Sequence, residues 1–580
     1  MPNHGSYTTS LRIMETSDVH GQLLSYDYFS EQNKPGLGLA ATALLIAEAR
    51  KEAPLNLLIE NGDLLQGSAL ADWAVAEFPV AQATHPIIAV LNQLKYDVAN
   101  LGNHEFNFGL DFLAHSYRDA EFPIVSSNLQ LLEQAPSALA AQLTPIAWFD
   151  YSVTPPSSAP VPLKVAVIGV VPPQIMQWDQ HHLEHKVQVD DMLSSARDAA
   201  RQARHQGADV VILAAHTGMP KHTANPEDAE QTGWLLAGIK DIDALLLGHQ
   251  HEVFPGTNVY DLLPEVNSNL GTIRGIPAVQ PGIYGSHLGI IDLQLTYDFA
   301  DKKWQVSDFQ TSVRAVNDSM HEAPVIKQQI DPAHKATLDF MQQPIGQTLV
   351  PLSYKTARVQ PSSAVQFVQR AQAWQAQQLL TAHGLADLPL LSAAAPFDAA
   401  FAANDRATTI AAGPITRGAI GDLYRYPNTL DVVKVNGAQL KAWLEHSAEG
   451  LLSAATVAGK QSEQCWSLIN EDFPHYNFDM ILGVDYNIDV RQPVGDRIVN
   501  LTYRAQPVAA DDEFYVATNN YRATGGGDFP SLDGQNIVAR GADMLSDVLL
   551  GYIGSLPENS YQEQIEEHWQ VIGIGCGGRI

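Results

Sequence analysis

The first half of the chain repeats one pattern: a short apolar run, then a turn carrying Asp, His or Asn beside glycine. The runs "LRIMET", "LNLLIE", "YDVANL", "FPIVSS", "LKVAVIGVV", "ADVVILAA", "IDALLLG" and "IPAVQ" read as buried strands. Between several of them lie amphipathic patterns such as "MLSSARDAARQARHQG", a helix that closes on the capping glycine Gly207. Strands alternating with helices predict a layered α/β domain.

The second half has another texture. "TLDVVKVNGAQLKAWLEHSAEG" reads as a strand, an Asn-Gly turn and a helix, and "FDMILGVDYNIDV" and "EFYVATNNYRATGGGDFP" add strands. Between the halves, "DSMHEAPVIKQQIDPAHKATLDFMQQPIG" reads as a helix broken by Pro332 and closed by Pro344 and Gly346. A chain of 580 residues exceeds what one core usually serves, so two domains are expected, with this segment connecting them.

The balance of 34 basic and 64 acidic residues, a formal charge of −30, argues against a nucleic-acid duplex as partner. A small anionic ligand stays compatible, because bound cations can dominate the local field. No apolar run approaches the roughly 18 residues of a membrane span, and "MPNHGSYTTS" has neither the basic start nor the apolar core of a secretory leader. Cys465 and Cys576 can form one disulfide or none, which leaves the redox compartment open, and they are too few for a four-thiolate metal site.

The polar turns carry the chemistry. "DVHG" presents Asp18 and His20, "NGDLLQGS" presents Asp63, and "GNHEFNFG" presents Asn103 and His104. His216 follows "VILAA", and His249 and His251 lie in "HQH" after "LLLG". In open α/β sheets, ligands bind beyond the carboxyl ends of the strands. Any one such residue is more often structural; five strands of one half-chain each delivering one is a correlated signal. Carboxylate oxygen and neutral imidazole suit zinc, manganese, iron or cobalt. Asp63, with two oxygens, can bridge two ions, and two ions roughly 3.5–4 Å apart can clamp a phosphoryl group.

The order "DVHG", "GDLLQGS", "GNHEF", "AAHTG", "GHQH" resembles the calcineurin-like metallophosphoesterases, and more finely the two-domain 5′-nucleotidase superfamily. "GNHEFNFG", "GHQHEVFPG", "YPNTLDVVKVNG", "NFDMILGVDYNIDV" and "ATNNYRATGGGDFP" resemble its 2′,3′-cyclic-nucleotide 2′-phosphodiesterase/3′-nucleotidase branch. The resemblance implies a four-layer α/β/β/α phosphoesterase domain over 8–320, a helical linker over 321–345 and an α+β nucleotide-binding domain over 346–580. It implies one divalent ion on Asp18, His20, Asp63 and His251, and a second on Asp63, Asn103, His216 and His249. His104 becomes the catalytic histidine, with Asn107 beside it where the 5′-nucleotidase branch has Asp. A neutral Asn supports a charged imidazole less than a carboxylate does, which weakens a 5′-nucleotidase assignment.

Tyr426 and Tyr521 are implied to sandwich the base, with Asn428 and Asp528 as polar contacts; Tyr424 lies close enough in sequence to be confused with Tyr426. Arg417 and Arg522 are cationic candidates for phosphate that no spacing selects. The implied activity is hydrolysis of 2′,3′-cyclic nucleotides to 3′-nucleotides, and of these to nucleoside and phosphate. A 5′-nucleotidase or nucleotide-sugar hydrolase on the same scaffold is the nearest alternative, and a non-catalytic nucleotide-binding protein a remoter one. The expected partners are small nucleotides, with no membrane, and the expected state is a monomer or weak oligomer. The resemblance implies a periplasmic location, the alternative being the cytoplasm.

Overall fold

The computed structural model describes residues 5–573 except 81, 157, 221–229, 257–259, 318, 320, 386, 401, 403–404, 427 and 458–464. Cys576 lies outside these residues, and with it the question of a pairing with Cys465. The chain divides into two units, residues 1–338 and 339–580.

In the first unit two sheets pack face to face. One runs, in spatial order, Lys303–Ala315, His287–Asp298, Ser6–Thr16, Asn56–Glu60, Val98–Asn100, Ile124–Val125 and Leu143–Thr144. From Ser6–Thr16 onward its neighbours are parallel. The other sheet is centred on Val161–Val170, Val210–Ala215, Ala244–Leu247 and Ile276–Pro281, also mutually parallel. Both faces of each central strand are covered, which is why these strands read as unbroken apolar runs. Val210, Ile212 and Ala214 point between the sheets, where they meet Leu11, Ile13, Leu57 and Ile59. Val211, Leu213 and Ala215 point the other way, onto the helix Met192–His205.

That helix buries Met192, Ala196, Ala200 and Ala203 along one face. Asp191 caps its start by accepting the Ser194 N–H at 2.7 Å, and Gly207, at φ 91°, follows its end. The helix Leu39–Glu52 packs on the first sheet, giving the four-layer α/β/β/α order.

Two local expectations are corrected. Pro332 does not break its helix, which runs from Pro324 to Gln342 and contains the unit boundary. Pro332 and Gln328, the residue whose carbonyl the ring leaves without a helical partner, both face solvent, so water can satisfy that carbonyl. Asn436 and Gly437 do not form a separate turn. Asn436 ends the strand Thr429–Asn436 and caps the helix Gly437–Ser447 directly. Its side chain accepts the Gln439 N–H at 2.9 Å while the Gln439 side chain accepts the Asn436 N–H at 2.9 Å.

The second unit is α+β. A five-stranded sheet orders Met480–Leu482, Leu390–Ala394, Glu513–Asn519, Thr429–Asn436 and Ile537–Met544. The helix Ser363–Ala382 packs on it, and a four-stranded sheet forms separately.

Candidate dimetal active site

Every polar turn singled out in the first half sits at the carboxyl end of a parallel strand. Asp18 and His20 follow Ser6–Thr16, Asp63 follows Asn56–Glu60, and Asn103 and His104 follow Val98–Asn100. His216 follows Val210–Ala215, and His249 and His251 follow Ala244–Leu247. Five of these residues are left-handed: Asp18 (φ 53°), His20 (50°), Asp63 (57°), His249 (71°) and His251 (63°). A non-glycine residue held there costs roughly 1–2 kcal/mol, so the surrounding contacts must enforce it.

Those contacts are specific. The His20 N–H donates to Asp63 O at 2.8 Å, the His249 N–H to Asp18 Oδ1 at 3.0 Å, and the His104 N–H to Asp63 Oδ1 at 2.8 Å. The buried Glu105 carboxylate accepts backbone N–H groups from Asp63 (2.8 Å), Leu64 (2.7 Å), Leu65 (3.1 Å) and Gly102 (2.7 Å), tying two of the loops together. Gly102 has no room for a side chain: a Cβ there would lie 2.3 Å from Asp63 Oδ1 and 2.8 Å from His216 Cε1. Gly102→Ala is therefore expected to destabilise the protein by about 1–3 kcal/mol and to displace Asp63. Thermal melting checks this; a wild-type midpoint would mean the loop has slack.

Two groups of side chains present ligand atoms that lie within 4.8 Å of one another inside each group: Asp18, His20 and His251, and Asp63, His216 and His249. The hydrogen bonds behind the rings test whether they suit cations. His20 Nδ1 donates to Gln66 O at 2.8 Å and His216 Nδ1 to Asn61 O at 2.7 Å. His249 Nε2 donates to Glu230 Oε1 at 2.6 Å. In a neutral ring each such bond fixes the tautomer and leaves the other, inward nitrogen as the one free to bind a cation, the arrangement of metal-binding histidines.

The inward atoms crowd. His20 Nε2 and His251 Nε2 are 3.2 Å apart, His216 Nε2 is 3.0 Å from Asp63 Oδ2, and His249 Nδ1 is 2.8 Å from Asn103 Oδ1. Burial holds His20 and His251 down at about 4, so both rings are neutral at physiological pH. Burial also disfavours a charged His216, but the Asp63 carboxylate outweighs it and lifts that ring to about 10. The centre thus attracts positive charge at His216 and Asp63, and the donor set of carboxylate, imidazole and amide oxygen fits first-row divalent ions.

His104 opens a short 3₁₀ turn, His104–Phe106. Its Nε2 lies 3.9 Å from Asp63 Oδ2, and its Nδ1 donates to Asn107 Oδ1 at 2.6 Å. The Asn107 amide donates in turn to Asp179 Oδ1 at 3.0 Å. Glu105, Asp179 and Glu230 escape sequence reasoning. Glu105 lies inside a quoted motif, but nothing there says that its carboxylate collects four backbone donors. Asp179 and Glu230 sit in irregular stretches with no spacing to select them.

In the second unit Tyr426 and Tyr521 are 41% and 46% exposed, whereas Tyr424 is 2% exposed and packs on Phe397 with ring centroids 4.4 Å apart. Tyr424 is thus the packing tyrosine of the two near "PNTL". A third exposed ring, Tyr476, lies 6.5 Å from Tyr426. Burial raises the Tyr426 hydroxyl, and the neighbouring Tyr476 adds to the rise. Asn428 donates to the Tyr424 hydroxyl at 3.2 Å, and Asp528 is exposed on the glycine turn at φ 58°.

Arg522 does not offer its charge to solvent. It is buried against Asp479 at 2.8 Å and also bonds Tyr476 O and Gly526 O, holding the Tyr476 turn to the glycine turn. Arg417 lies over the Phe340 ring at 4.4 Å.

Fold and site together define a phosphoesterase unit of the calcineurin-like kind followed by a 5′-nucleotidase-type unit. Residues 11–253 match the calcineurin-like phosphoesterase family and residues 344–534 the 5′-nucleotidase C-terminal domain. The chain belongs to the 5′-nucleotidase family of calcineurin-like phosphoesterases. It is 38% identical to the 2′,3′-cyclic-nucleotide 2′-phosphodiesterase/3′-nucleotidase of Salmonella typhimurium, over 94% of this chain and 86% of that protein. It is also 38% identical to the trifunctional nucleotide phosphoesterase protein YfkN of Bacillus subtilis, over 97% of this chain but only 39% of that longer protein. The crystal structure of a putative 5′-nucleotidase from Staphylococcus aureus shares the fold, with a TM-score of 0.62 at 21% identity over 97% of this chain and 100% of that one.

Proposed function

We propose that the protein hydrolyses 2′,3′-cyclic nucleotides to 3′-nucleotides, and 3′-nucleotides to nucleoside and phosphate. In this reading Asp18, His20, Asp63 and His251 hold one divalent ion, and Asp63, Asn103, His216 and His249 a second, drawn from zinc, manganese, cobalt and iron. Such a pair supplies Lewis acidity and a nucleophile at neutral pH. The chain's own residues do the rest. Asp63 orients the His104 backbone, and the His104 ring faces the reacting phosphoryl group, where it meets the charge that builds on oxygen. In the first reaction water adds to phosphorus and the bond to the ribose 2′ oxygen breaks; in the second the bond to the 3′ oxygen breaks.

The observation that carries this reading is the convergence of tautomer-fixed ring nitrogens on Asp63 beside His104. The 38% identity to an enzyme named for these two activities supports the choice of substrate. The periplasmic location implied by the family resemblance goes with the same reading. Among the described residues no helix is long and apolar enough to cross a membrane.

The test is a steady-state comparison of 2′,3′-cyclic AMP, 3′-AMP and 5′-AMP. Specificity constants for the first two are expected to exceed that for 5′-AMP by at least about tenfold. The reverse order would replace this reading with the 5′-nucleotidase one.

The second unit's share is holding the base. Tyr426 and Tyr521 stack on it, with Asn428 and Asp528 as polar contacts. Losing one stacking face costs on the order of 1–3 kcal/mol. Tyr426→Ala and Tyr521→Ala are expected to lower kcat/KM on 3′-AMP roughly tenfold to a hundredfold, and to affect bis(p-nitrophenyl) phosphate clearly less. Equal losses on both substrates would remove the clamp from the account.

A further inference from the structure

We infer that Asp179 is a positioning residue for catalysis, acting through Asn107 to decide which nitrogen of His104 carries the proton. The inference rests on the reading of His104 as the group that faces the phosphoryl oxygen.

A side-chain amide has two orientations of nearly identical shape and opposite polarity. Asn107 lies between two partners, the His104 ring at 2.6 Å and the Asp179 carboxylate at 3.0 Å. The buried Asp179 accepts from the Asn107 Nδ2 end through Oδ1, which leaves the amide oxygen toward His104. An oxygen at that position demands a proton on His104 Nδ1. Nε2 is then the end left to face the reacting group, 3.9 Å from Asp63 Oδ2, and an oxygen at Nδ1 is the amide end that the charged ring, with Nε2–H toward the phosphoryl oxygen, can also keep as its partner. With the amide reversed, its N–H₂ would face Nδ1, and the single proton of the neutral ring would sit on Nε2.

The Asp179 backbone has a separate task in the turn between Ile175–Trp178 and Gln180–Leu183. Its N–H donates to Ile175 O at 2.8 Å, and its C=O accepts from His182 at 2.9 Å and Leu183 at 3.1 Å. A change confined to the side chain leaves those bonds available. Trp178, next in sequence, stacks on His249 with centroids 6.0 Å apart, so bound metal must be measured alongside activity.

The experiment is a double-mutant cycle in the metal-loaded enzyme with 3′-AMP, comparing Asp179→Ala, Asn107→Ala and the pair. Asp179→Ala is expected to lower kcat about tenfold or more, the order of an acid–base contribution, with KM, metal content and melting midpoint unchanged. Added to Asn107→Ala it is expected to cost nothing further. Losses that multiply, or a parallel fall in metal content or melting midpoint, would overturn the inference. If Asp179→Ala does not fold, the near-isosteric Asp179→Asn runs the same cycle under the same criterion.

A second readout needs no substrate. In zinc-loaded protein labelled with ¹⁵N-histidine, the His104 ring signals are those lost in His104→Asn. Wild type is expected to show Nδ1 protonated, and Asp179→Ala to show the two nitrogens averaged or reversed. Identical spectra would overturn the inference. An enzyme inactive on 3′-AMP but with these spectra would overturn the proposed substrate instead.

Discussion

Asp63→Asn is expected to remove at least one equivalent of bound metal and to lower turnover on 3′-AMP by about three orders of magnitude or more, some 4 kcal/mol of barrier. Both oxygens of Asp63 are committed. Oδ1 accepts the His104 N–H at 2.8 Å, and Oδ2 lies 3.0 Å from His216 Nε2. An amide keeps only one of these oxygens and puts N–H₂, which cannot bind a cation, in place of the other. It also removes the negative charge that lifts His216 and that both proposed ions share. The folded loop should survive, because Glu105 holds the Asp63 backbone N–H at 2.8 Å whatever the side chain is. Elemental analysis together with steady-state kinetics decides the matter. Two full equivalents with wild-type turnover would sink the proposed bridging role.

His104→Asn is expected to separate chemistry from metal binding. The His104 ring touches Asn107 and lies 3.9 Å from Asp63, while it is the His104 backbone N–H that steadies Asp63 Oδ1. That N–H survives any side-chain change, so metal content should stay near the wild-type level. Turnover should fall by about 10²–10⁴-fold, the usual contribution of a positioned acid or base. Metal lost in step with activity would move His104 into the ligand set and require the site to be redrawn.

What can be read from the sequence follows from chain geometry. A parallel strand covered on both faces is an apolar run, and the residue just beyond it stands at the sheet's carboxyl edge. Asp18, Asp63, Asn103, His216 and His249 can therefore be gathered from spacing before any coordinates exist. What lies behind those residues cannot. Asp179 and Glu230 reach their partners across the fold, 72 and 19 residues away, from irregular backbone without a period. Arg522 looks like an exposed cation in "NNYRATGGGD", and only packing reveals Asp479 beneath it. The helix through Pro332 shows the opposite limit: a local breaker rule yields where the freed carbonyl faces water.

The five left-handed residues carry a consequence for how this protein unfolds. At roughly 1–2 kcal/mol each, their combined burden is about 5–10 kcal/mol, comparable with the whole stability of an ordinary domain. Replacing them by glycine would relieve the backbone and delete the side chains that define the centre, so the loops stand where selection for activity opposes selection for rigidity. Cations that bind the native loops and not the unfolded chain shift that balance by mass action. The melting temperature should accordingly climb with divalent ion concentration. Under chelation, amide exchange should quicken first in the turns that bear Asp18, Asp63 and His249, ahead of the strands that carry them.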